Sequence, residues 1–289
     1  MSIKPNIAPF TVGTFQKYKN EGRKITSLTA YDYSTAKFLD ESGIDLILVG
    51  DSLSMVALGH DTTHCVTMDE MLHHTKAVSK GVKRSLVVSD MPFMSFQVDE
   101  NSAVNNAGRF IKEAGAQAVK LEGGSKRIAD TVKHCVEAGI PVLGHLGFTP
   151  QFLYTLGGYN IQGKNVEATE MILEQALALQ ESGAFGIVLE MVPEESAKLI
   201  TENLNIPTIG IGAGRFCSGQ VLVIDDLLGK FTDFTPKFAR KYVDLASIIK
   251  KAVNEYKEDV ISGDFPSISE VFNLKEDELV KLTNLNLKK

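Results

Sequence analysis

The segment Leu46-Ile47-Leu48-Val49-Gly50-Asp51 is an apolar run that ends in a carboxylate, and this design recurs along the chain. A short run of Val, Ile and Leu predicts a strand that is buried on both faces, as in parallel sheets. Four later runs also end in an ionisable residue: Leu86-Val87-Val88-Ser89-Asp90, Ala118-Val119-Lys120-Leu121-Glu122, Pro141-Val142-Leu143-Gly144-His145 and Gly186-Ile187-Val188-Leu189-Glu190. A charge at the end of such a strand is costly if it stays unpaired in apolar surroundings. Five such endings therefore predict one shared polar pocket at the carboxyl edge of an α/β barrel or sheet, where these folds place their chemistry.

Predicted helices separate most of the strands, at the spacing of a βα unit. Several of these helices end at a glycine that precedes the next strand, as at Gly43, Gly115, Gly139 and Gly183. Eight strands are predicted in all, and strands that alternate with helices form a parallel sheet. The fold class is therefore α/β, and a (β/α)8 TIM barrel is the favoured architecture. An open doubly wound sheet is the alternative, because the sequence does not show closure.

Two segments fall outside the strand–helix repeat. Residues 1–24 are expected to be an N-terminal extension whose short helix, over 11–19, packs across one end of the barrel. A last helix is predicted over 236–255, followed by a charged C-terminal tail over about 264–289. No linker separates these segments from the repeat, so residues 1–289 are predicted to form a single domain.

Composition excludes several classes of function. The net charge of −6 argues against nucleic acid as a partner, since nucleic acid prefers a basic surface. No apolar run is long enough to predict a membrane span, and the amino terminus lacks the apolar stretch of a secretory signal. Cys65, Cys135 and Cys217 are far apart and form no CxxC pair, which favours a reduced, cytoplasmic location.

Three of the strand-end residues, Asp51, Asp90 and Glu122, are carboxylates on neighbouring predicted strands. Together they predict a site for a hard cation, because Mg²⁺ accepts one or two carboxylates and leaves positions for water and substrate oxygens. The alternative is that each carboxylate only caps the helix that follows it. A zinc site is not indicated, since the adjacent His73 and His74 cannot face one metal together on a helix.

The other strand-end groups have a structural and a chemical interpretation each. Lys120 and Glu122 share one face of their strand and point into the same interior, where Lys120 pairs either with Glu122 or with a substrate carboxylate. Glu190 lies among apolar neighbours that favour a raised pKa and hence proton abstraction, or it is the acid before a helix. His145 is either a donor to a substrate oxygen or a core histidine.

Several motifs occur in the order of one known family, and together they cover about residues 8–267. They are Gly50-Asp51-Ser52-Leu53, Gly59-His60-Asp61, Ser89-Asp90-Met91-Pro92-Phe93-Met94, Val119-Lys120-Leu121-Glu122-Gly123-Gly124, Gly144-His145-Leu146-Gly147-Phe148-Thr149-Pro150-Gln151, Gly157-Gly158-Tyr159, Leu189-Glu190-Met191-Val192-Pro193 and Ile209-Gly210-Ile211-Gly212-Ala213-Gly214. On these motifs the chain closely resembles the ketopantoate hydroxymethyltransferase family.

The resemblance implies a (β/α)8 barrel of the phosphoenolpyruvate/pyruvate superfamily. It implies transfer of a one-carbon unit from 5,10-methylenetetrahydrofolate to 3-methyl-2-oxobutanoate, which gives 2-dehydropantoate and tetrahydrofolate in the first committed step toward pantothenate. It further implies one Mg²⁺ per subunit, a cytoplasmic enzyme, and a large homo-oligomer, typically a homodecamer.

The resemblance also assigns roles to residues of this chain. Asp51 and Asp90 match the Mg²⁺ ligands, and Glu122 matches an acid that is near the metal, often through water. Glu190 matches the proposed catalytic base. The positions that match the substrate contacts are Asp51, Ser52, Asp90, Lys120 and His145.

One departure from the family pattern lies in the loop after the second strand. Where many relatives carry an apolar residue followed by proline, this chain has His64-Cys65, so that this loop is expected to fold or move differently.

Two other functions are alternatives to the transferase. One is another metal-enolate enzyme of the same superfamily, a lyase or an enzyme like phosphonopyruvate mutase, although no Lys-Lys-Cys-Gly catalytic loop is present. The other is a non-catalytic barrel, which would be expected to have lost the strand-end acids.

Overall fold

The computed structural model of the chain describes residues 8–285 and contains a closed barrel of eight parallel strands. Each strand pairs with its neighbours in chain order, and the last strand closes the barrel on the first. The predicted barrel is thus confirmed over the open sheet. The strands are β1 Ile25–Thr29, β2 Leu46–Val49, β3 Leu86–Asp90, β4 Ala118–Glu122, β5 Val142–Gly147, β6 Gly186–Glu190, β7 Thr208–Ile211 and β8 Gly219–Leu222.

Helices connect most strands, as the alternating pattern predicts, and a loop without a helix joins β7 to β8. Short 3₁₀ turns lie at Thr63–Cys65, Pro150–Phe152 and Ile268–Glu270. The helices are α1 Val12–Asn20, α2 Tyr33–Glu41, α3 Leu53–Val56, α4 Met68–Gly81, α5 Glu100–Ala114, α6 Lys126–Glu137, α7 Val166–Glu181, α8 Glu194–Asn203, α9 Ile224–Leu227, α10 Leu245–Ser262 and α11 Glu276–Thr283.

The barrel interior is apolar at its amino end and charged at its carboxyl end. Side chains alternate between the two faces of each strand, so every second residue points inward. In β4, for example, Ala118 belongs to the interior apolar cluster and is followed on the same face by Lys120 and Glu122. The intervening residues Val119 and Leu121 pack outward against the helices. The same alternation carries the final inward residues of β3, β5 and β6 to the carboxyl end.

An N-terminal helix covers the amino end of the barrel, as the sequence predicts. Phe15 of α1 is fully buried, and its ring centroid lies 5.2 Å from that of Phe185 at the start of β6. A Cβ atom on Gly186 would lie only 2.6 Å from the Phe15 ring, so glycine is required at this position for the helix to dock. The barrel is therefore closed at this end.

Residue contacts divide the chain into two compact units, one that ends at Tyr242 and one that begins at Val243. The barrel belongs to the first unit, whereas the second contains α10 and α11. The predicted helix over 236–255 is wrong in its position, because Asp244 accepts a hydrogen bond from the Ser247 N–H and caps a helix that begins only at Leu245. The prediction of a single domain over 1–289 stays a prediction. Within residues 8–285, no helix combines the length and apolar character needed to cross a membrane.

Candidate active site

The five strand-end residues line one cavity of about 660 Å³ at the carboxyl end of the barrel. Its volume lies in the range typical of small-molecule sites. The structure brings together every site residue that the sequence predicts: Asp51, Ser52, Asp90, Lys120, Glu122, His145 and Glu190. The shared polar pocket is thereby confirmed as a geometric feature.

Asp51 and Asp90 form the acidic wall of the cavity. The backbone N–H of Asp51 donates to Asp90 Oδ2 at 3.0 Å, while Asp90 Oδ1 is buried and has no hydrogen-bond partner among the described residues. Burial and the charges of Glu122 and Asp90 raise the pKa of Asp51 well above its ordinary value. Burial also raises the pKa of Asp90, although Lys120 opposes this effect. The two carboxylates therefore lack enough positive charge within the protein.

The ammonium group of Lys120 lies at the centre of the cluster and is almost wholly buried. Its Nζ atom is 3.3 Å from Asp90 Oδ2, 3.4 Å from Glu122 Oε1 and 3.0 Å from His145 Nδ1. Burial lowers the pKa of Lys120, but Asp90 and Glu122 outweigh it and hold this pKa above its ordinary value. Lys120 is therefore a permanent cation here.

Glu122 has both carboxylate oxygens engaged by the protein. Oε1 lies 3.2 Å from His145 Nδ1 and also faces Lys120, and Oε2 accepts the Gln151 backbone N–H at 2.9 Å. Burial raises the pKa of Glu122, yet Lys120 and then His145 lower it to about 2. Glu122 is therefore ionised and already satisfied, in contrast to Asp90.

His145 stands between the buried cluster and Glu190. Its Nε2 atom lies 3.3 Å from Glu190 Oε2, without the alignment of a hydrogen bond. Burial and Lys120 lower the pKa of His145, but Glu122 and Glu190 leave it above its ordinary value. Glu190 keeps 17% of its side chain exposed, more than any other charged group of the cluster. Glu190 is therefore the carboxylate of the cluster that is most accessible to a ligand.

Ser52 also lies at the cavity wall, where its Oγ atom is 2.9 Å from the hydroxyl of Tyr31. A Cβ atom on Gly50 would approach this Oγ to 2.9 Å and Asp90 Oδ2 to 3.6 Å. Glycine at position 50 thus allows the serine hydroxyl and the acidic wall to come close together.

The residues fit a hard cation through two carboxylates rather than three. No set of three His, Cys, Asp or Glu side chains is arranged as a metal centre in residues 8–285. Mg²⁺ needs only one or two carboxylates, with water and substrate oxygens in its other positions. Asp90 Oδ1, a buried acceptor without a partner, is the kind of atom that such a cation would satisfy.

Gln151, to which the sequence assigned no role, joins the loops behind the cavity. Its amide Nε2 donates to Asp51 Oδ2 and to the Met91 carbonyl, both at 2.9 Å, and its backbone N–H holds Glu122. Its Oε1 atom accepts from Gln97 at 2.9 Å. The only sequence signal was its place at the end of the motif Gly144 to Gln151. Its contacts cross three loops, which no local pattern reveals.

The loop that departs from the family pattern is fastened through His64. His64 Nε2 lies 3.0 Å from the Gln151 carbonyl oxygen, and its ring stacks on Tyr154 at 5.0 Å between centroids. The edge of the same ring meets Phe93 at 4.7 Å. The histidine thus connects the loop after β2 to the loops after β3 and β5. These contacts of His64 are termed the clasp, and the expected difference from the loop of relatives stays a prediction.

Known proteins are similar in sequence to this chain over most of its length. A family model described as ketopantoate hydroxymethyltransferase matches residues 9–268. A 3-methyl-2-oxobutanoate hydroxymethyltransferase of Syntrophobacter fumaroxidans (strain DSM 10017 / MPOB) is 56% identical over 267 residues, which cover 92% of this chain and 94% of that protein. Another, from Clostridium botulinum (strain Langeland / NCTC 10281 / Type F), is 54% identical over 272 residues, 94% of this chain and 98% of that protein.

Solved structures with little sequence identity share the fold. A phosphonopyruvate hydrolase in complex with oxalate and Mg²⁺ superposes with a TM-score of 0.58 at 13% identity, over 96% of this chain and 99% of the other. A 2,3-dimethylmalate lyase, a member of the PEP mutase/isocitrate lyase superfamily, gives 0.59 at 13% identity over 94% and 98%. These structures show the same barrel fold.

The central position of Lys120 predicts a stability that depends on pH. Lys120→Met removes the only lysine of the cluster and should cost about 3–5 kcal/mol of unfolding free energy at pH 8, because buried carboxylates lose their partner. Without the ammonium group the folded-state pKa values of Asp90 and Glu122 rise. Carboxyl groups with raised folded-state pKa values stabilise the folded state at low pH, and this stabilisation is lost as the pH increases. The difference in unfolding free energy between Lys120→Met and the unaltered protein should therefore shrink from pH 8 to pH 5.

Urea unfolding of Lys120→Met at several pH values measures this effect, with the exposed Lys198→Met as the matched control. Lys198 forms surface contacts with Glu202 and, at 5.1 Å from Nζ to the ring centroid, with Phe216, so its loss should cost about 1 kcal/mol or less at every pH. A deficit for Lys120→Met that stays constant with pH would contradict the proposed role of its charge.

The clasp predicts a local effect of His64→Ala. Loss of one hydrogen bond and the ring stacking should weaken the loop after β5 by about 1 kcal/mol, which corresponds to about fivefold faster opening. Hydrogen exchange at the Phe152 and Leu156 amides, both hydrogen-bonded within this loop, measures the change. The control His73→Ala alters an exposed histidine of α4 and should leave these amides unaffected. Equal exchange in all three proteins would show that His64 does not fasten the loop.

Proposed function

The chain belongs to the ketopantoate hydroxymethyltransferase family and transfers a hydroxymethyl group to 3-methyl-2-oxobutanoate in pantothenate biosynthesis, and we propose that it does so with 5,10-methylenetetrahydrofolate and Mg²⁺. The products would be 2-dehydropantoate and tetrahydrofolate. The observation that carries the mechanistic proposal is the charge balance of the cavity, in which Asp90 keeps a buried, unpartnered oxygen beside a single lysine.

The cation site of this proposal consists of Asp51 and Asp90. When bound, Mg²⁺ would act as a Lewis acid toward the 2-oxo group and make the weakly acidic C3 proton removable. Glu122 would act on the cation through water, since both of its oxygens already bind protein groups. Gln151 would keep Asp51 in place through its 2.9 Å hydrogen bond.

The substrate carboxylate would bind beside Lys120. A buried ammonium group acts as a compact positive charge, and burial of Lys120 removes competing water. The Ser52 hydroxyl lies on the same cavity wall and can donate to a substrate oxygen. His145 Nε2, which has no hydrogen bond among the described residues, supplies a further polar contact.

Glu190 would be the general base. It is the least buried carboxylate of the cluster, and it sits beside His145 rather than within the Lys120 network. After Glu190 takes the C3 proton, a new C–C bond would form between C3 and the one-carbon unit of the folate, whose two C–N bonds break. One water would supply the hydroxyl oxygen, and the remaining proton of this water and the C3 proton would end on the two released folate nitrogens. Since His145 Nε2 lies 3.3 Å from Glu190 Oε2, the substrate group that Nε2 contacts would lie beside the base.

A lyase or mutase function is less well supported. The solved structures of such enzymes match this chain at 10–13% identity, a level that carries the fold alone. The relatives at 54–56% identity are all named as hydroxymethyltransferases. A non-catalytic barrel is disfavoured because every strand-end ionisable group is present and in one cavity.

Proton NMR of 3-methyl-2-oxobutanoate in D₂O tests the proposal. With protein and Mg²⁺ the C3 proton signal should disappear, EDTA should prevent this loss, and added 5,10-methylenetetrahydrofolate should yield 2-dehydropantoate. Glu190→Gln should slow the exchange at least about 100-fold because it removes the base, while substrate still binds.

The matched control is Glu195→Gln, which neutralises an exposed acid in the first turn of α8. It should exchange the C3 proton at the original rate. Exchange that is equally fast in Glu190→Gln would remove Glu190 from the role of base. Exchange without transfer in the unaltered protein would point to a sister enzyme with another electrophile.

We also propose a cytoplasmic homodecamer, as the family resemblance implies. In the unit that begins at Val243, no described side chain is buried, and Ile261 and Phe272 are among its exposed apolar residues. Such apolar surface is typical of an interface between subunits. Light scattering coupled to size-exclusion chromatography should therefore give ten times the chain mass of 31.5 kDa. A monomeric mass would contradict the assembly and leave the catalytic proposal intact.

A further inference from the structure

The carboxylate of Asp226 lies on the wall of the catalytic cavity, yet the proposed chemistry does not use it. Asp226 belongs to α9, immediately after β8, and lines the same cavity as Asp90 and Lys120. Only 7% of the residue is exposed, and within residues 8–285 its side chain has no hydrogen bond and no ion pair. A buried carboxylate without a partner is costly and calls for a ligand.

The neighbouring Asp225 is satisfied by the protein and shows what Asp226 lacks. Lys230 Nζ lies 3.0 Å from Asp225 Oδ1. Burial, and then the charge of Asp225, raise the pKa of Asp226 to about 6, although Lys241 opposes the rise. Asp226 is therefore poorly solvated. An unpartnered carboxylate on a cavity wall is typical of a functional position, because a purely structural carboxylate is normally paired within the protein.

Three phenylalanines line the same cavity as Asp226. Phe231, Phe234 and Phe238 all line it, and they come from the segment that follows α9. A Cβ atom on Gly212 would lie 2.7 Å from the Phe238 ring, so that glycine allows the ring to pack closely on the loop after β7. Phe234 is 64% exposed and therefore free to cover a ligand. The segment after β8 thus gives the lining flat apolar faces, a buried carboxylate at Asp226 and an exposed one at Asp233.

This combination selects a planar ring with two adjacent N–H donors. A carboxylate offers two parallel acceptor oxygens and no donor, so its best partner presents two parallel N–H groups. The pterin ring of a folate has such a pair in its N3–H and 2-amino groups, and its faces can stack on aromatic side chains. We infer that Asp226, with Phe231, Phe234 and Phe238, forms the pterin subsite for the folate co-substrate; this inference rests on the proposed function.

Calorimetric titration of the full-length protein with tetrahydrofolate tests the subsite. Asp226→Asn keeps the shape of the side chain but replaces one acceptor by a donor, so tetrahydrofolate should bind about 10- to 100-fold more weakly. The matched control Asp233→Asn removes the same charge from an exposed residue of the same cavity lining. It should change the affinity less than about twofold.

A second variant tests the aromatic part and does not depend on the folding of Asp226→Asn. Phe234→Ala truncates a largely exposed ring and leaves the core intact, so thermal unfolding should be unchanged while tetrahydrofolate binding weakens about 5-fold or more. An unaltered tetrahydrofolate affinity in both Asp226→Asn and Phe234→Ala would overturn the inference. Equal losses of tetrahydrofolate affinity in Asp226→Asn and Asp233→Asn would also overturn it, because the affinity would then depend only on the net charge of the cavity.

The C3 exchange reaction separates failure of this inference from failure of the proposed function. Exchange needs Mg²⁺ and the 2-oxo acid but no folate, so Asp226→Asn should exchange within about twofold of the unaltered protein. If the unaltered protein does not exchange, the proposed function fails. If it exchanges and Asp226→Asn binds tetrahydrofolate normally, only the pterin subsite fails.

Discussion

The ammonium group of Lys120 is the interaction on which the arrangement of the cavity depends. It holds Asp90 and Glu122 within 3.4 Å in a setting from which water is largely excluded. One lysine cannot neutralise Asp51, Asp90 and Glu122 together, and the pKa of Asp51 is accordingly raised well above its ordinary value. The protein satisfies Glu122 fully and leaves Asp90 Oδ1 without a partner. We expect the resulting deficit of positive charge to favour a bound cation and the charge of Lys120 to favour an anionic substrate.

The barrel can carry this charge because its two ends are built differently. The interior residues at the amino end are apolar, and Phe15 fills the space against Gly186, so water does not reach the cluster from below. In β3, β4 and β6 the inward-pointing residues then change to charged ones only in the last one or two positions. The favourable packing of the apolar residues at the amino end offsets the unfavourable burial of charged residues at the carboxyl end.

Most of the fold and the charged cluster could be predicted from the sequence because both depend on local patterns. Strand endings located Asp90 and Glu190, and Gly115 located the end of α5. Gln151 and Asp226 could not be assigned in this way. Gln151 acts through contacts with loops that are distant in sequence, and Asp226 differs from its neighbour Asp225 only in what the folded chain leaves unpaired. Local patterns predict which residues end strands, whereas the tertiary structure determines which side chains have a hydrogen-bond or ion-pair partner.

The two unpartnered carboxylates of the cavity differ in their surroundings, and this difference separates their ligands. Asp90 Oδ1 is buried among other charges, where a cation gains the most from the low dielectric. Asp226 shares its cavity lining with three phenylalanines, and we expect a neutral planar donor there to be stacked as well as hydrogen-bonded. A cavity of about 660 Å³ that holds both groups can bring a cation-bound oxo acid and a ring-bound carbon donor together. Asp90 would thus favour the cation-bound oxo acid and Asp226 the pterin ring, so that the two substrates would bind at different places in one cavity.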